Sequence, residues 1–237
     1  REVDFAVHSM KDMPISFPLN LCIACVTKRE NPFDALISRN NVKLDALPKG
    51  AKIGTGSLRR MSQLKHYRPD FNLFPLRGNL ETRLKKLNSE GLDAIILAAA
   101  GLIRLGWDEQ ITELISPEIL LPAMGQGAVG IETRKNDVDN QILLADMDHE
   151  DTHYTLDAER ALVSQLQGGC NVPIGSFATI KDDKITLTGL VASLDGKTIY
   201  KKELTDLKTN AIAVGRKIGE ELIEMGADKI MKEIQSM

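Results

Sequence analysis

Ile53-Gly54-Thr55-Gly56-Ser57-Leu58-Arg59-Arg60 reads as the end of a strand, a glycine turn and a helix capped by Ser57. The free N–H groups and positive dipole potential at such a helix start suit an anion. Arg59 and Arg60 fall in its first turn, where the dipole disfavours cations. Their placement works against the helix unless an anion is present. The same unit recurs downstream. Phe74-Pro75-Leu76-Arg77-Gly78-Asn79-Leu80 leads into a second helix capped by Asn79, with an apolar stripe of Leu80, Leu84 and Leu87. Arg77 stands just ahead of that helix and Arg83 lies off its stripe. A third strand, Ala94 to Leu97, passes through an Ala98-Ala99-Ala100-Gly101 turn into a helix carrying Arg104. Repeated strand–turn–helix units predict a parallel sheet, and ligands bind such sheets in the crevice at the strands' carboxyl ends. Arginine holds carboxylates through paired hydrogen bonds, each contributing about 1.5–3 kcal/mol. Several arginines at one sheet end therefore suit a ligand with many carboxylates.

The opening segment points to the same end of a sheet. Val3-Asp4-Phe5-Ala6-Val7 reads as a buried strand running into His8-Ser9-Met10-Lys11-Asp12-Met13-Pro14. Pro14 pushes Met13 toward extended geometry, so Ser9, Lys11 and Asp12 are expected on a strand-end loop. Asp12 beside Lys11 could serve as an acid, a base or a counter-ion to a developing cation; from local sequence alone, a turn or cap residue is the favoured reading. The chain starts Arg1-Glu2-Val3-Asp4 without an initiator Met, inside what reads as a strand, so an N-terminal segment is expected to be missing.

Cys170 lies in Gly168-Gly169-Cys170-Asn171-Val172-Pro173-Ile174-Gly175. An amphipathic helix is predicted before it, from about Tyr154 to Gln167, with Leu156, Leu162, Val163 and Leu166 at helical spacing. Two glycines end that helix and Pro173 keeps it from resuming. The thiol is thereby offered on a loop, better placed to react or to carry something than a buried filler cysteine. An incidental loop cysteine is the alternative this segment leaves open. Beyond it, Ile174 to Ile180, Lys184 to Ala192 and Lys197 to Leu204 read as strands turned at Asp182-Asp183 and Asp195-Gly196. Helices follow over about Thr209 to Met225 and Ala227 to Ile234, divided by Gly226. This predicts a small α+β unit with a three-stranded antiparallel sheet. The Pro32 and Asn40-Asn41 surroundings mark a boundary upstream, and Ile131-Glu132-Thr133 is expected to return as a strand to the opening unit.

Composition bounds the function. The 237 residues are 43% hydrophobic and 27% charged, which fits a soluble globular chain. No signal peptide or membrane-length apolar run is present. Three cysteines without a disulfide spacing point to the cytoplasm. Net charge is −3, yet Lys43 to Arg104 carries 12 Lys and Arg against 5 Asp and Glu. A locally basic region on an acidic chain points to an anionic ligand, the plain alternative being a solvated lysine surface. Nucleic acid is disfavoured, because few aromatics are available for stacking and neither a helix-turn-helix nor a zinc pattern is evident.

Three motif-like strings do not carry chemistry. His149-Glu150-Asp151-Thr152-His153 matches a zinc-protease pattern, but Asp151 and Thr152 read as the cap of the next helix, so the string straddles a boundary and no metal is expected. Gly125-Gln126-Gly127-Ala128-Val129-Gly130 matches a dinucleotide pattern but is followed by a strand over Ala128 to Ile131. Cys22-Ile23-Ala24-Cys25 has zinc-like or redox spacing within an alternating apolar stretch, where residues three apart face opposite ways; two packed strand cysteines are expected.

Taken together, His8-Ser9-Met10-Lys11-Asp12, Ser57-Leu58-Arg59-Arg60, Leu76-Arg77-Gly78-Asn79, Asp93-Ala94-Ile95-Ile96-Leu97-Ala98, Leu121-Pro122-Ala123 with Gly125-Gln126-Gly127-Ala128, and Gly168-Gly169-Cys170 resemble, in order, the motifs of the porphobilinogen deaminase (hydroxymethylbilane synthase) family. Two departures stand out: the family's opening segment, with its additional basic residues and glycine-rich loop, is absent, and Gly56 stands where a serine is common.

The resemblance implies an α/β fold of two periplasmic-binding-protein-like domains flanking a cleft, over residues 1–28 with 125–147 and over 32–121, plus a small α+β domain over 150–237. It implies a transferase of tetrapyrrole (heme) biosynthesis. Four porphobilinogen units would be condensed, with loss of ammonia, onto a dipyrromethane cofactor linked by a thioether to Cys170, and hydrolysis would release hydroxymethylbilane. Asp12 would be catalytic. Ser9, Lys11, Asp12, Thr55, Ser57, Arg59, Arg60 and Arg83 would hold the cofactor, and Arg77, Arg83, Arg104 and Gln126 the substrate. A cytoplasmic monomer without nucleic-acid or membrane partners is expected. A non-catalytic anion-binding module with the same cleft is the rival; it explains the arginines and leaves Cys170 without a task.

Overall fold

The computed structural model describes residues 2–15, 18–167 and 172–235. Cys170 with Gly168, Gly169 and Asn171 lies outside the described residues. The described chain runs β1 (Ala6–Ser9), β2 (Leu21–Val26), β3 (Asp34–Ser38), β4 (Lys52–Gly54), α1 (Leu58–Tyr67), β5 (Asn72–Phe74), α2 (Leu80–Ser89), β6 (Ala94–Ala98), α3 (Ala99–Arg104), β7 (Glu113–Ile115), β8 (Val129–Arg134), α4 (Val138–Leu144), α5 (Glu150–Gln165), β9 (Ile174–Lys181), β10 (Lys184–Ala192), β11 (Ile199–Leu207), α6 (Ala211–Met225) and α7 (Ala227–Gln235). It is a mixed α/β fold. None of the described helices is long and apolar enough to cross a membrane.

The strands form three sheets, ordered β1-β8-β2, β5-β4-β6-β3-β7 and β11-β10-β9. The middle sheet carries apolar side chains on both faces. Leu36, Ile53 and Ile96 lie on one, and Ile37, Ile95 and Leu97 on the other. Two-sided burial is what near-continuous apolar strands such as Ala94 to Leu97 dictate. The sheet is not purely parallel, however. β4 pairs in parallel with β5 and β6, whereas β3 pairs antiparallel with both β6 and β7. The reason is local: β3 reaches β4 through two short 3-10 turns at Arg39–Asn41 and Leu44–Ala46 rather than through a crossover helix. The Asn40-Asn41 turn therefore sits inside this sheet's connections.

The opening segment departs from its expected form. Its strand begins only at Ala6, and Val3, Phe5 and Val7 are exposed. β1 sits at the edge of its sheet, paired on one side with β8. Ile131-Glu132-Thr133 does lie in β8, between β1 and β2. Cys22 and Cys25 are free cysteines of β2, Cys25 fully buried. A bulge between Ile23 and Cys25 breaks the simple alternation.

In the last third, β9, β10 and β11 form the expected antiparallel sheet, packed against α5 and α6. Both residues of the Asp182-Asp183 turn have positive φ, which suits a two-residue hairpin. α5 and α6 cross closely at Gly215, where a Cβ would stand 2.2 Å from the Ala158 carbonyl oxygen. α5 starts earlier than the sequence suggests. His149 is its cap, its Nδ1 accepting the Thr152 N–H, and His153 lies within the helix, bonded to Asp148. The two imidazoles of the His-Glu-Asp-Thr-His string are thus spent on capping and pairing.

Candidate active site

Two adjoining cavities open at the carboxyl ends of β4 and β6. The larger, about 350 Å³, is lined by Ser9, Lys11, Arg60, Asn79, Arg83, Leu97, Ala98, Arg104 and Gln126, among others. The smaller, about 220 Å³, is lined by Lys11, Asp12, Gly56, Ser57, Arg59, Arg60, Arg83, Ala123 and Gln126. Lys11, Arg60, Arg83 and Gln126 belong to both. The strand–turn–helix reading explains this convergence. Ser57 caps α1, its side-chain oxygen accepting the Arg60 N–H, and Asn79 caps α2 by accepting the Thr82 N–H. Both helix starts thereby face the same sheet end. One detail differs: α3 follows β6 directly, so Ala99-Ala100-Gly101 forms its first turn rather than a loop.

The anion that Arg59 and Arg60 call for is present, and the chain supplies it. Asp34, fully buried at the start of β3, accepts Arg59 Nη1 at 2.8 Å and Nη2 at 3.2 Å, and Arg60 Nε at 2.9 Å and Nη2 at 2.7 Å. Leu121 O and Ile96 O take one further N–H from Arg59 and Arg60 respectively. Burial alone would raise the Asp34 pKa, but the Arg59 and Arg60 guanidiniums outweigh it and hold the carboxyl well below the ordinary carboxylate range. Sequence reading missed Asp34 because it assumed a parallel sheet. With β3 antiparallel to β6, Asp34 pairs with Ala98, which puts the first residue of β3 at the ligand end.

The remaining predicted residues divide. Asp12 is exposed on a 3-10 turn, Met10–Asp12, and is the one carboxylate among the described lining residues of these two cavities. The Lys11 pKa is lowered by burial first and by Arg60 second. Arg83 is half-buried, its Nε buried without a hydrogen-bond partner; burial and then Arg60 lower its pKa. Arg59 Nε is likewise buried and unpartnered. Arg104 donates to Gly127 O at 2.8 Å. Gln126 donates to Pro32 O and to Asp34 Oδ1. Two residues lie apart. Thr55 is fully buried beneath the turn, and Arg77 is exposed; neither lines these cavities. Cys170 falls outside the described residues.

A second buried ion pair also escaped the sequence. Arg29 binds Glu159 through Nη1 at 2.6 Å and Nη2 at 3.1 Å. Glu159, fully buried in α5, also accepts the Gly125 and Ala178 N–H groups, and Arg29 Nε donates to Gln126 O. A Glu on the apolar side of a predicted helix was the one available signal. A larger open groove, about 700 Å³, lies at the opposite end of the middle sheet beside Arg39. Arg39 is engaged there by the Leu87 and Asn88 carbonyls.

Fold and site together define an α/β protein whose adjoining cavities gather several cationic side chains and one carboxylate at a single sheet end. Residues 1–142 match the family model described as porphobilinogen deaminase, dipyromethane cofactor binding domain. Residues 153–224 match the porphobilinogen deaminase C-terminal domain. A porphobilinogen deaminase of Desulforamulus reducens is 50% identical over 236 residues, covering 100% of this chain and 76% of the relative. One from Syntrophobacter fumaroxidans is 47% identical over 234 residues, covering 99% and 76%. A periplasmic solute-binding protein from Sulfitobacter, solved with bound α-D-taluronate, aligns over 99% of this chain and 79% of its own at 12% identity and a TM-score of 0.39, too slight a likeness to carry weight. The chain belongs to the porphobilinogen deaminase family and carries that family's dipyrromethane cofactor-binding domain. It is, accordingly, a transferase of tetrapyrrole biosynthesis.

Proposed function

We propose that the paired cavities hold a dipyrromethane tethered to Cys170 and, beside it, an incoming porphobilinogen, with Asp12 as the acid–base group between them. The side chains suit such a group. Lys11, Arg59, Arg60 and Arg83 present an ammonium and guanidiniums, and the unpartnered Nε atoms of Arg59 and Arg83 are buried donors awaiting an acceptor. When bound, the dipyrromethane supplies a free pyrrole α-carbon to which porphobilinogen units are joined, ammonia being lost at each addition.

The chain's own residues bind, orient and move protons. Arg83 and Lys11 line both cavities and hold carboxylates on either side of the point of joining. Ser9 and Arg104 line only the larger cavity, Ser57 only the smaller, and Gln126 their shared wall. Asp12 accepts a pyrrole N–H, offsets positive charge on the ring and carries the proton away. Cys22 and Cys25 are free thiols, which accords with a reducing compartment; a cytoplasmic monomer is the form proposed.

The observation that carries this reading is Asp12, the one carboxylate among the described lining residues of a cavity that also carries Lys11, Arg59, Arg60 and Arg83. Ammonia release from porphobilinogen tests it. Asp12→Asn is expected to fold normally and to lose turnover by about 10²–10⁴-fold, the range of general acid–base catalysis. Wild-type turnover in that variant removes Asp12 from the role.

A further inference from the structure

The two arginines of α1 do not face the cavity unopposed. Of Arg59's donors, both Nη1 hydrogens go to Asp34 Oδ2 and Leu121 O, and Nη2 reaches Asp34 Oδ1. Arg60 gives Nε and Nη2 to Asp34 Oδ1 and Nη1 to Ile96 O. Gln126 Nε2 donates to that same Oδ1 at 2.9 Å from the other side. The carboxylate is thus fixed from three directions, and it fixes which guanidinium hydrogens remain for a ligand. Arg83, by contrast, forms no ion pair among the described residues. Two guanidiniums against one carboxylate leave the Arg59–Arg60–Asp34 cluster with a net charge of +1, beside the Lys11 and Arg83 cations. Without Asp34 that charge would be +2.

We propose that Asp34 is a positioning residue that aligns Arg59 and Arg60 and, by offsetting one of their charges, tempers the cavity's hold on carboxylates. The inference rests on the proposed function. A ligand that gains carboxylates at each addition binds more tightly as it grows, and unopposed guanidiniums would retain it. An internal carboxylate limits that retention and keeps the arginine planes in place between additions. Asp34 touches neither reacting group; it acts through the two arginines.

The test uses the full chain as purified, with Asp34→Asn and Asp34→Glu. Butanetetracarboxylate serves as the probe, read by thermal unfolding, alongside kcat and KM for porphobilinogen. Asp34→Asn is expected to unfold earlier than wild type without the probe. It should then respond to probe concentrations about tenfold lower, the external carboxylates replacing the lost one. In turnover its KM and kcat should both fall, because the growing chain is held too long. Asp34→Glu keeps the charge and should retain wild-type probe response.

A probe response in Asp34→Asn no stronger than wild type overturns the proposal. So does a raised KM, an Asp34→Asn chain that stays unfolded with the probe, or an Asp34→Glu chain that behaves like Asp34→Asn. If wild type responds and Asp34→Asn responds no better, only the role of Asp34 falls. If neither responds, the polycarboxylate cavity falls with it.

Discussion

Lys11 shows how a single charge is tuned by its neighbours. Burial and then Arg60 lower its pKa, while Asp12 and Asp34 pull it back up. Its ammonium is therefore fully present below the lowered value and is lost as pH rises through it, earlier than an ordinary lysine at 10.5. Carboxylate binding should weaken over the same interval, so KM for porphobilinogen is expected to climb on the alkaline side before pH 10.5. Lys11→Arg, which keeps its charge, should shift that climb to higher pH; an unchanged profile in Lys11→Arg assigns the climb to another group. Asp34 behaves oppositely. Its folded pKa lies below the ordinary 3.8, so its contribution to stability is complete above that value and is lost as pH falls through the lower one. Neutral-pH activity should be indifferent to its titration.

α1 is the element on which the site turns. Its N-cap, Ser57, fixes where the first turn begins and thus where Arg59 and Arg60 point. Ser57→Ala should cost about 1 kcal/mol of stability and, because Ser57 also lines the smaller cavity, raise KM; thermal unfolding with steady-state kinetics checks both. The caps at Ser57 and Asn79, the apolar stripe of α2 and the three C-terminal strands were all legible from sequence, since each rests on contacts within a few residues. Strand direction was not, because it depends on how β3 is connected and on which edge β6 leaves open. That one non-local fact hid Asp34. It also led the first-turn arginines to be read as waiting for a ligand, when a carboxylate 25 residues upstream of Arg59 already occupies them. The β1 segment misled for a related reason: an apolar run says nothing of what covers it.

At the scale of the whole molecule, Arg29 and Glu159 tie the three sheets together. Arg29 follows β2, Glu159 lies in α5 beneath β9, and the Gly125-Gln126 stretch that both of them bind leads into β8 and touches Asp34. Removing one partner of a buried pair leaves a charge without compensation, at a cost of about 3–5 kcal/mol. Glu159→Gln should lower the unfolding temperature accordingly; a shift no larger than that of an exposed pair such as Lys85–Glu81 would show that the link carries little. The fold thus brings a basic cavity and Asp12 together at one end of the middle sheet. The central claim, that Cys170 tethers an oligopyrrole which is lengthened in that cavity, is tested most directly by intact mass of the purified chain before and after brief exposure to porphobilinogen. The account predicts an adduct of two pyrrole units on Cys170, absent from Cys170→Ser, that grows by equal steps with substrate. A chain whose Cys170 is unmodified, and whose mass does not change with porphobilinogen, would contradict it.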